Sequence, residues 1–406
     1  MPSAHLKITD LRTVITAVGA KNSIFVLIDT DAGITGIAET VYKRKSKTVE
    51  AGILELKRYL LGKDPTRIEE HFEKMYRDSF FVGGPLHTTS ISAVEIALWD
   101  ILGKSLNAPI YKLLGGPIRD RIPVYCHCPA GATPEDCAGH AKACVDRGYR
   151  AMKITLPIFY GAQSHVAVGD GQTGQTFGYS GTHGAISPSH KETEILDPDL
   201  FHRIAEFLVA AREAVGPKTQ LAIDCHGRLS TANARRLVEA LEPFDLMFIE
   251  EPVPPENVEA MREVTLNSKT PIAAGERWST VYDARRFLGQ RAVAIAQPDV
   301  VNCGGLAQAK KIAGIAESEY VAMAPHNPNG PLATLASLHL AAVIPNFLIL
   351  ETVGSEAEHA LHAELIDPAI QIENGELLLP EQPGLGATLN LDACAEYPYR
   401  PFEGWR

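Results

Sequence analysis

Along the second half of this chain, short apolar runs recur at nearly one spacing, each ending in a residue that can carry charge. LAIDCHG, LMFIEEP and PIAAGE deliver Asp224 with His226, then Glu250, then Glu276; AIAQPD, VAMAPH and NFLILE deliver Asp299, His326 and Glu351. From Asp224 to Glu351 the successive steps are 26, 26, 23, 27 and 25 residues. A strand of about 5 residues, an amphipathic helix of roughly 10 to 15 and two short loops fill that length. Apolar runs alternating with helical patterns imply parallel βα units. In a (β/α)8 barrel the C-terminal ends of the strands meet at one mouth. The spacing therefore predicts an α/β chain with a (β/α)8-type barrel and six ionisable groups converging on its mouth.

A carboxylate after a strand is often only the N-cap of the next helix. Six groups in one phase are hard to explain that way, and the first three are carboxylates on successive strands. Three converging carboxylates repel one another unless a cation sits between them. Hard oxygen donors with no Cys or His among them suit Mg²⁺ better than Zn²⁺. Asp224, Glu250 and Glu276 are thus expected to form a divalent-metal site.

With 406 residues, 45% of them hydrophobic, the chain can build a large core. Its formal net charge of −11 and the lack of a basic tract argue against nucleic-acid binding. An acidic protein that binds an acidic substrate needs a metal and local cations to reverse the field at its site. No signal-peptide pattern and no 18-residue apolar run appear, so neither export nor a membrane span is expected. Seven cysteines, an odd number scattered through the predicted elements, fit a reduced, cytoplasmic protein. Cys126-His127-Cys128 mimics a metal pair, but on a strand the middle residue faces away from its neighbours. A buried, inert trio is the expectation there.

Residues 5–18, 23–30 and the run ITGIAETV read as strands, the last two joined by Asp31-Ala32-Gly33. Helical patterns follow at 48–61, 66–79 and 88–105, so residues 1–120 form an α+β cap. The barrel, 121–355, begins at Ile122-Pro123-Val124-Tyr125, followed by a helix near 134–147 and a strand ending in Lys153-Ile154. The rhythm then breaks, with 71 residues from Lys153 to Asp224. The excess, glycine-rich Leu156 to His190, is expected to hang over the mouth, with Tyr160, His165 and His183 as solvated or substrate-covering residues. The tail, 356–406, holds a predicted hairpin around Asn374-Gly375.

The segments AIDCHGR, FIEEPVPPEN, PIAAGERW, AQPDVVNCGGL and MAPHNPNGP resemble the enolase superfamily, in its mandelate-racemase-like subgroup. The resemblance spans nearly the whole chain and is nearest to the sugar-acid dehydratases of the galactonate and gluconate type. It implies that the tail returns to complete the cap, that one Mg²⁺ is bound per subunit, and that a Lys or His base acts beside it.

Removing a proton next to a carboxylate makes an ene-diolate that needs strong electrostatic help. Lys153 is placed to neutralise the far side of that carboxylate. Asp299 and His326 end adjacent strands, and a carboxylate on one ring nitrogen raises the basicity of the other. By resemblance this pair abstracts the α-proton, and Glu351 hydrogen-bonds the developing enolate oxygen. Racemases of the subgroup carry Lys-x-Lys at the second strand; here the second position is Thr155, which cannot be a base. His226 lies two residues after Asp224, so strand alternation is expected to direct it toward the same mouth. In the galactonate-type dehydratases that the chain resembles, the matching His protonates a departing β-hydroxyl. β-Elimination of water from a sugar acid is the expected reaction. The rivals are epimerisation or cycloisomerisation through the same ene-diolate, and a non-catalytic sensor. Arg228 and Arg277 could bind substrate or pair with Glu251. Specificity is expected from residues 17–24, Phe80-Phe81-Val82 and the insertion, and the assembly is expected to be a homo-oligomer.

Overall fold

The structure is a computed structural model that describes residues 6–19, 21–156 and 199–401. The insertion, with Tyr160, His165 and His183, lies outside the described residues.

The cap opens with an antiparallel meander, β1 (Ile8–Val18), β2 (Lys21–Thr30) and β3 (Thr35–Val41). Three helices follow, α1 (Ser46–Leu60), α2 (Ile68–Arg77) and α3 (Pro85–Ser105). α1 buries Val49, Ile53, Leu56 and Leu60, the 3.6-residue spacing of one apolar face. α3 buries nearly its whole circumference, because the sheet lies on one side and the barrel on the other. A short helix, α4 (Ile110–Leu113), leads into the barrel.

Barrel strands β4 (Arg121–Pro129), β5 (Ala151–Thr155), β6 (Gln220–Asp224) and β7 (Ile249–Glu250) run parallel in sequence order. β8 (Ile272–Ala274), β9 (Ile295–Ala296) and β10 (Ala322–Met323) continue the order, and β11 (Leu350–Thr352) pairs with β4. A parallel bridge between Met323 and Phe347 closes the ring. The helices between strands are α5 (Pro134–Asp146), α6 (Leu200–Val215), α7 (Thr231–Leu241) and α8 (Val258–Leu266). α9 (Val281–Leu288), α10 (Leu306–Ser318) and α11 (Pro331–Val343) complete the set. Thr133 and Asp136 form a reciprocal capping box at the start of α5, with Pro134 at its first position.

One residue from each strand, or from its immediate flank, fills the barrel axis: Tyr125, Ala151, Ala222, Phe248, Ala273, Ile295, Ala324 and Ile349. Four alanines make room for two aromatic rings and two isoleucines, so the axis is packed solid. This plug is the floor on which the mouth residues stand.

After β11 the tail forms α12 (Glu356–Leu365), β12 (Ile366–Asp367), β13 (Ile372–Glu373) and β14 (Glu376–Leu378). Asn374 and Gly375, both at positive φ, turn the predicted hairpin between β13 and β14. That hairpin does not go to the cap: β14 pairs antiparallel with the start of β4, at the barrel's far end. Only the last part, β15 (Thr388–Leu389), α13 (Leu391–Glu396) and the residues after it, reaches β1, where the Ala17 N–H donates to Tyr397 O at 2.8 Å.

Three buried cap carboxylates join the parts. Glu39 on β3 accepts from Leu332 and Ala333 N–H at the start of α11, at 3.0 and 3.2 Å. Glu95 on α3 accepts from Leu306 and Ala307 N–H at the start of α10, at 2.8 and 2.9 Å. Asp100 accepts from Ile37 N–H and from Leu385 N–H in the tail, at 2.9 and 2.7 Å. Each Glu satisfies orphan donors of a helix N-terminus and adds negative charge where the helix dipole favours it.

Candidate active site

The mouth is assembled by register. Asp224 and Glu250 are the last residues of adjacent strands and are direct partners across β6 and β7. Lys153 on β5 lies two residues below Thr155, which pairs with Asp224. Glu276, Asp299 and His326 follow the ends of β8, β9 and β10 by two or three residues, and Glu351 lies within β11.

Lys153, 1% exposed, is the electrostatic centre. Its Nζ stands 2.8 Å from Glu250 Oε2, 2.9 Å from Glu351 Oε1 and 3.5 Å from Asp224 Oδ2. Burial alone would lower its pKa, but Glu250 and Glu351 hold it well above the usual lysine range. Burial raises the Glu250 carboxyl to about 8, and the nearby Asp224 adds to that rise. Glu250 Oε2 also accepts from Gln297 Nε2 at 2.9 Å, whereas Oε1 is buried with no hydrogen-bond partner.

His326 is the second centre. Its Nδ1 lies 2.8 Å from Asp299 Oδ2 and its Nε2 lies 2.9 Å from Glu276 Oε2, with Glu351 Oε2 at 3.9 Å. Burial opposes its protonated form, yet the Glu351 and Glu276 carboxylates raise it well above the ordinary histidine range. The same contacts act on their partners. Burial pushes Glu276 and Glu351 up, but His326 draws Glu276 well below its usual range, and Lys153 with His326 draws Glu351 down to about 2.

His226 reaches the mouth by a route other than strand alternation. β6 ends at Asp224, Cys225 is buried, and His226 takes a left-handed turn with φ of 50°. Its N–H donates to Asp224 Oδ1 at 2.9 Å and its Nε2 stands 3.1 Å from Asp224 Oδ2. Burial lowers the ring to about 4 against the pull of Asp224 and Glu276.

Arg277 takes one of the two places the sequence left open. Its Nη2 ion-pairs with buried Glu251 Oε2 at 2.8 Å and donates to His226 O at 3.0 Å, while 40% of its side chain stays exposed. Arg228 is buried, only 4% exposed. Phe80 and Phe81 stand out to solvent, edge to face at 5.3 Å. From the 17–24 loop, Lys21 Nζ bonds Pro328 O, two residues from His326.

Three mouth residues escaped sequence reasoning. Cys126 and Cys128 do pack outward under the helices, as a buried inert pair would. His127 between them does not share that fate: it is half-buried on the inner face, with Nε2 3.8 Å from Glu351 Oε1. The alternation that turned it away from the cysteines points it into the barrel. Asn329 donates to Asp299 Oδ2 at 3.0 Å, and Asn327 N–H donates to Glu351 Oε2 at 3.0 Å. Among the described residues no three His, Cys, Asp or Glu side chains are arranged to hold a metal ion. The carboxylates are turned instead to cationic or imidazole partners of the chain itself.

The sequence profile of the mandelate racemase / muconate lactonizing enzyme N-terminal domain matches residues 3–115, and that of the enolase C-terminal domain-like family matches residues 136–393. The chain belongs to the mandelate racemase / muconate lactonizing enzyme family. Within the enolase superfamily its relatives include a D-xylonate dehydratase of Haloferax volcanii, 34% identical over 95% of this chain and 88% of that protein. A D-galactonate dehydratase of Pectobacterium atrosepticum is 35% identical over 92% of this chain and 90% of that protein. A mandelate racemase/muconate lactonizing enzyme-like protein of Rubrobacter xylanophilus superposes with a TM-score of 0.84 at 33% identity, covering 99% of this chain and all of that one. The family's two-part architecture, an N-terminal cap and a closed barrel, is the one seen here.

Proposed function

We propose that the protein is a Mg²⁺-dependent dehydratase of sugar acids, turning an aldonate of the galactonate or gluconate kind into a 2-keto-3-deoxy acid. One observation carries this reading: two imidazoles stand against one carboxylate cluster, His326 held by Asp299 at 2.8 Å and His226 against Asp224 at 3.1 Å. The dehydratase names of the relatives agree with it.

Asp224, Glu250 and Glu276 are the residues that would hold the ion. Their chemistry fits: all donors are hard oxygens, Glu250 Oε1 is buried without a partner, and like charges crowd Glu250. The bound ion supplies Lewis-acid stabilisation of the charge that gathers on the substrate carboxylate.

The chain's own residues divide the remaining work. Were Glu276 engaged by the ion, its pull on the His326 proton would weaken; His326 could then release its Nε2 proton to solvent and accept the α-proton there, while Asp299 keeps hold of Nδ1. Lys153 offers a positive charge to the second substrate carboxylate oxygen. As Lys153 turns from Glu351 to the substrate, the pull that keeps that carboxyl ionised weakens; Glu351 then takes a proton from solvent and donates a hydrogen bond to the enolate oxygen. The C–O bond to the β-hydroxyl breaks as His226 gives it a proton, water departs, and the enol product tautomerises to the 2-keto acid. At its resting value near 4, His226 carries no extra proton, so an anionic substrate beside it must raise it for this step.

A panel of sugar acids incubated with the protein and Mg²⁺ tests the reading. Loss of water with appearance of a 2-keto acid supports it. An isomer of unchanged mass replaces it with epimerisation or cycloisomerisation, and binding without any product leaves a sensor.

A further inference from the structure

The Asp299–His326 pair is held by groups that are not themselves part of the chemistry, and the outermost of them belongs to the cap. The Val301 N–H fixes Asp299 Oδ1 at 3.0 Å, and Asn329 Nδ2 fixes Oδ2 at 3.0 Å, so two donors set the plane of the carboxylate that faces His326 Nδ1. Asn329 itself is buried, 6% exposed. Its neighbour Gly330 begins the turn into α11, and a Cβ there would lie 2.0 Å from Glu39 Oε1. Glu39, fully buried, grips the two N–H groups beyond that glycine and is steadied by Ser23 Oγ at 2.6 Å. Lys21 holds the near end of the same segment through Pro328 O. Residues 328–333 are therefore clamped at both ends by the cap, with Asn329 between the clamps.

We propose that Glu39 and Asn329 are positioning residues of the dyad, Asn329 through its bond to Asp299 and Glu39 through the 328–333 segment. The proposal rests on reading Asp299–His326 as the proton-abstracting pair. A base must be oriented before it can work, and a displacement of about 1 Å can cost two orders of magnitude in rate. Glu39 reaches no reacting atom, so its effect should fall on turnover rather than on substrate affinity. Asp100 supplies the comparison: it is an equally buried cap carboxylate with two backbone N–H partners, Ile37 and Leu385, and an ion pair to Lys104 at 2.6 Å, none of them on a dyad segment.

The test pairs spectroscopy with kinetics. In protein labelled with ¹⁵N-histidine, the hydrogen-bonded His326 Nδ1 proton should appear far downfield, assigned by its loss in His326→Asn. It should broaden or vanish in Asn329→Ala and Glu39→Gln and persist in Asp100→Asn. With a sugar acid that the wild type dehydrates, the first two variants should lose about tenfold or more in kcat with KM nearly unchanged, and Asp100→Asn should lose less than about twofold. Added to Asn329→Ala, Glu39→Gln should cost less than about twofold more, because both act on one carboxylate. Should Glu39→Gln fail to fold, Ser23→Ala loosens the same carboxylate and replaces it. A sharp Nδ1 resonance with wild-type turnover in both variants overturns the proposal, and so does full multiplication of their effects. If the wild type makes no 2-keto acid from any substrate, the dehydratase reading falls alone, and the resonance still decides the positioning role.

Discussion

Asp299 and His226 sit at opposite ends of the proposed reaction, and substitutions at the two should fail differently. Asp299→Asn removes the anion that fixes the tautomer of His326 and leaves the rest of the mouth in place. Substrate affinity should stay nearly intact while turnover falls by orders of magnitude, on the order of 10⁴-fold where such a carboxylate orients a catalytic histidine elsewhere. Steady-state kinetics check this, and a variant within about threefold of wild type removes the dyad from the mechanism. His226→Asn should still let His326 take the α-proton, so in D₂O it can exchange the α-hydrogen while forming keto acid about 10²–10⁴-fold more slowly. Keto acid made at the wild-type rate would take the acid role from His226. Asp299 was legible because it follows an apolar run at the common phase; His226 lies two residues past such an end, and the left-handed turn that brings it to the mouth carries no periodic signal. His127 was not legible, since cysteines on either side suggested a shared interior; strand alternation, applied to the barrel instead of the trio, would have found it. Asn329 and Asn327 carry no periodic signal, and their roles depend on a loop path that periodicity does not fix.

At the scale of elements, the clearest sequence reading was the βα rhythm, and every strand it implied is present among the described residues. What it could not contain is where helix ends find partners. Glu39 and Glu95 are separated by 293 and 211 positions from the N–H groups of Leu332 and Leu306, too far for any local pattern. Burial raises both carboxyls to about 7, against the pull of their N–H donors, from 4.5 in an open chain. A raised folded value means the native state binds more protons than the unfolded one between those limits. Stability from these two groups is therefore full below about pH 4.5 and is lost as the pH climbs through about 7. Urea unfolding at several pH values should show Glu95→Gln with a flatter dependence over that window than the wild type. An unchanged slope would deny Glu95 its part. Phe248 makes a prediction of another kind: it fills the barrel axis against Tyr125 at 5.8 Å, and truncation to Ala should cost about 3–5 kcal/mol.

For the molecule as a whole, the proposed Mg²⁺ site at Asp224, Glu250 and Glu276 would tie ion binding to stability. A ligand that binds only the native state stabilises it by RT ln(1 + [L]/Kd), so Mg²⁺ at about 100 times its Kd should add about 2.7 kcal/mol. Thermal melts with and without Mg²⁺ should separate for the wild type and coincide for Glu250→Gln, which should also lose activity while keeping its fold. Equal shifts in both would remove Glu250 from the ligand set. Chelation should likewise abolish turnover and return on adding Mg²⁺ should restore it.

The cap carboxylates also say something about how the chain comes into being. Glu39 and Glu95 leave the ribosome long before the helices whose ends they seal, and at about 5–20 residues per second the wait for Leu332 is roughly 15–60 s. During that interval both side chains are hydrated anions on an unfinished surface. The nascent cap therefore holds its docking groups in water, and only the late arrival of α10 and α11 lets that water go. A polypeptide truncated before residue 306 should stay protease-sensitive in its cap, and one that includes α11 should acquire resistance in both parts at once.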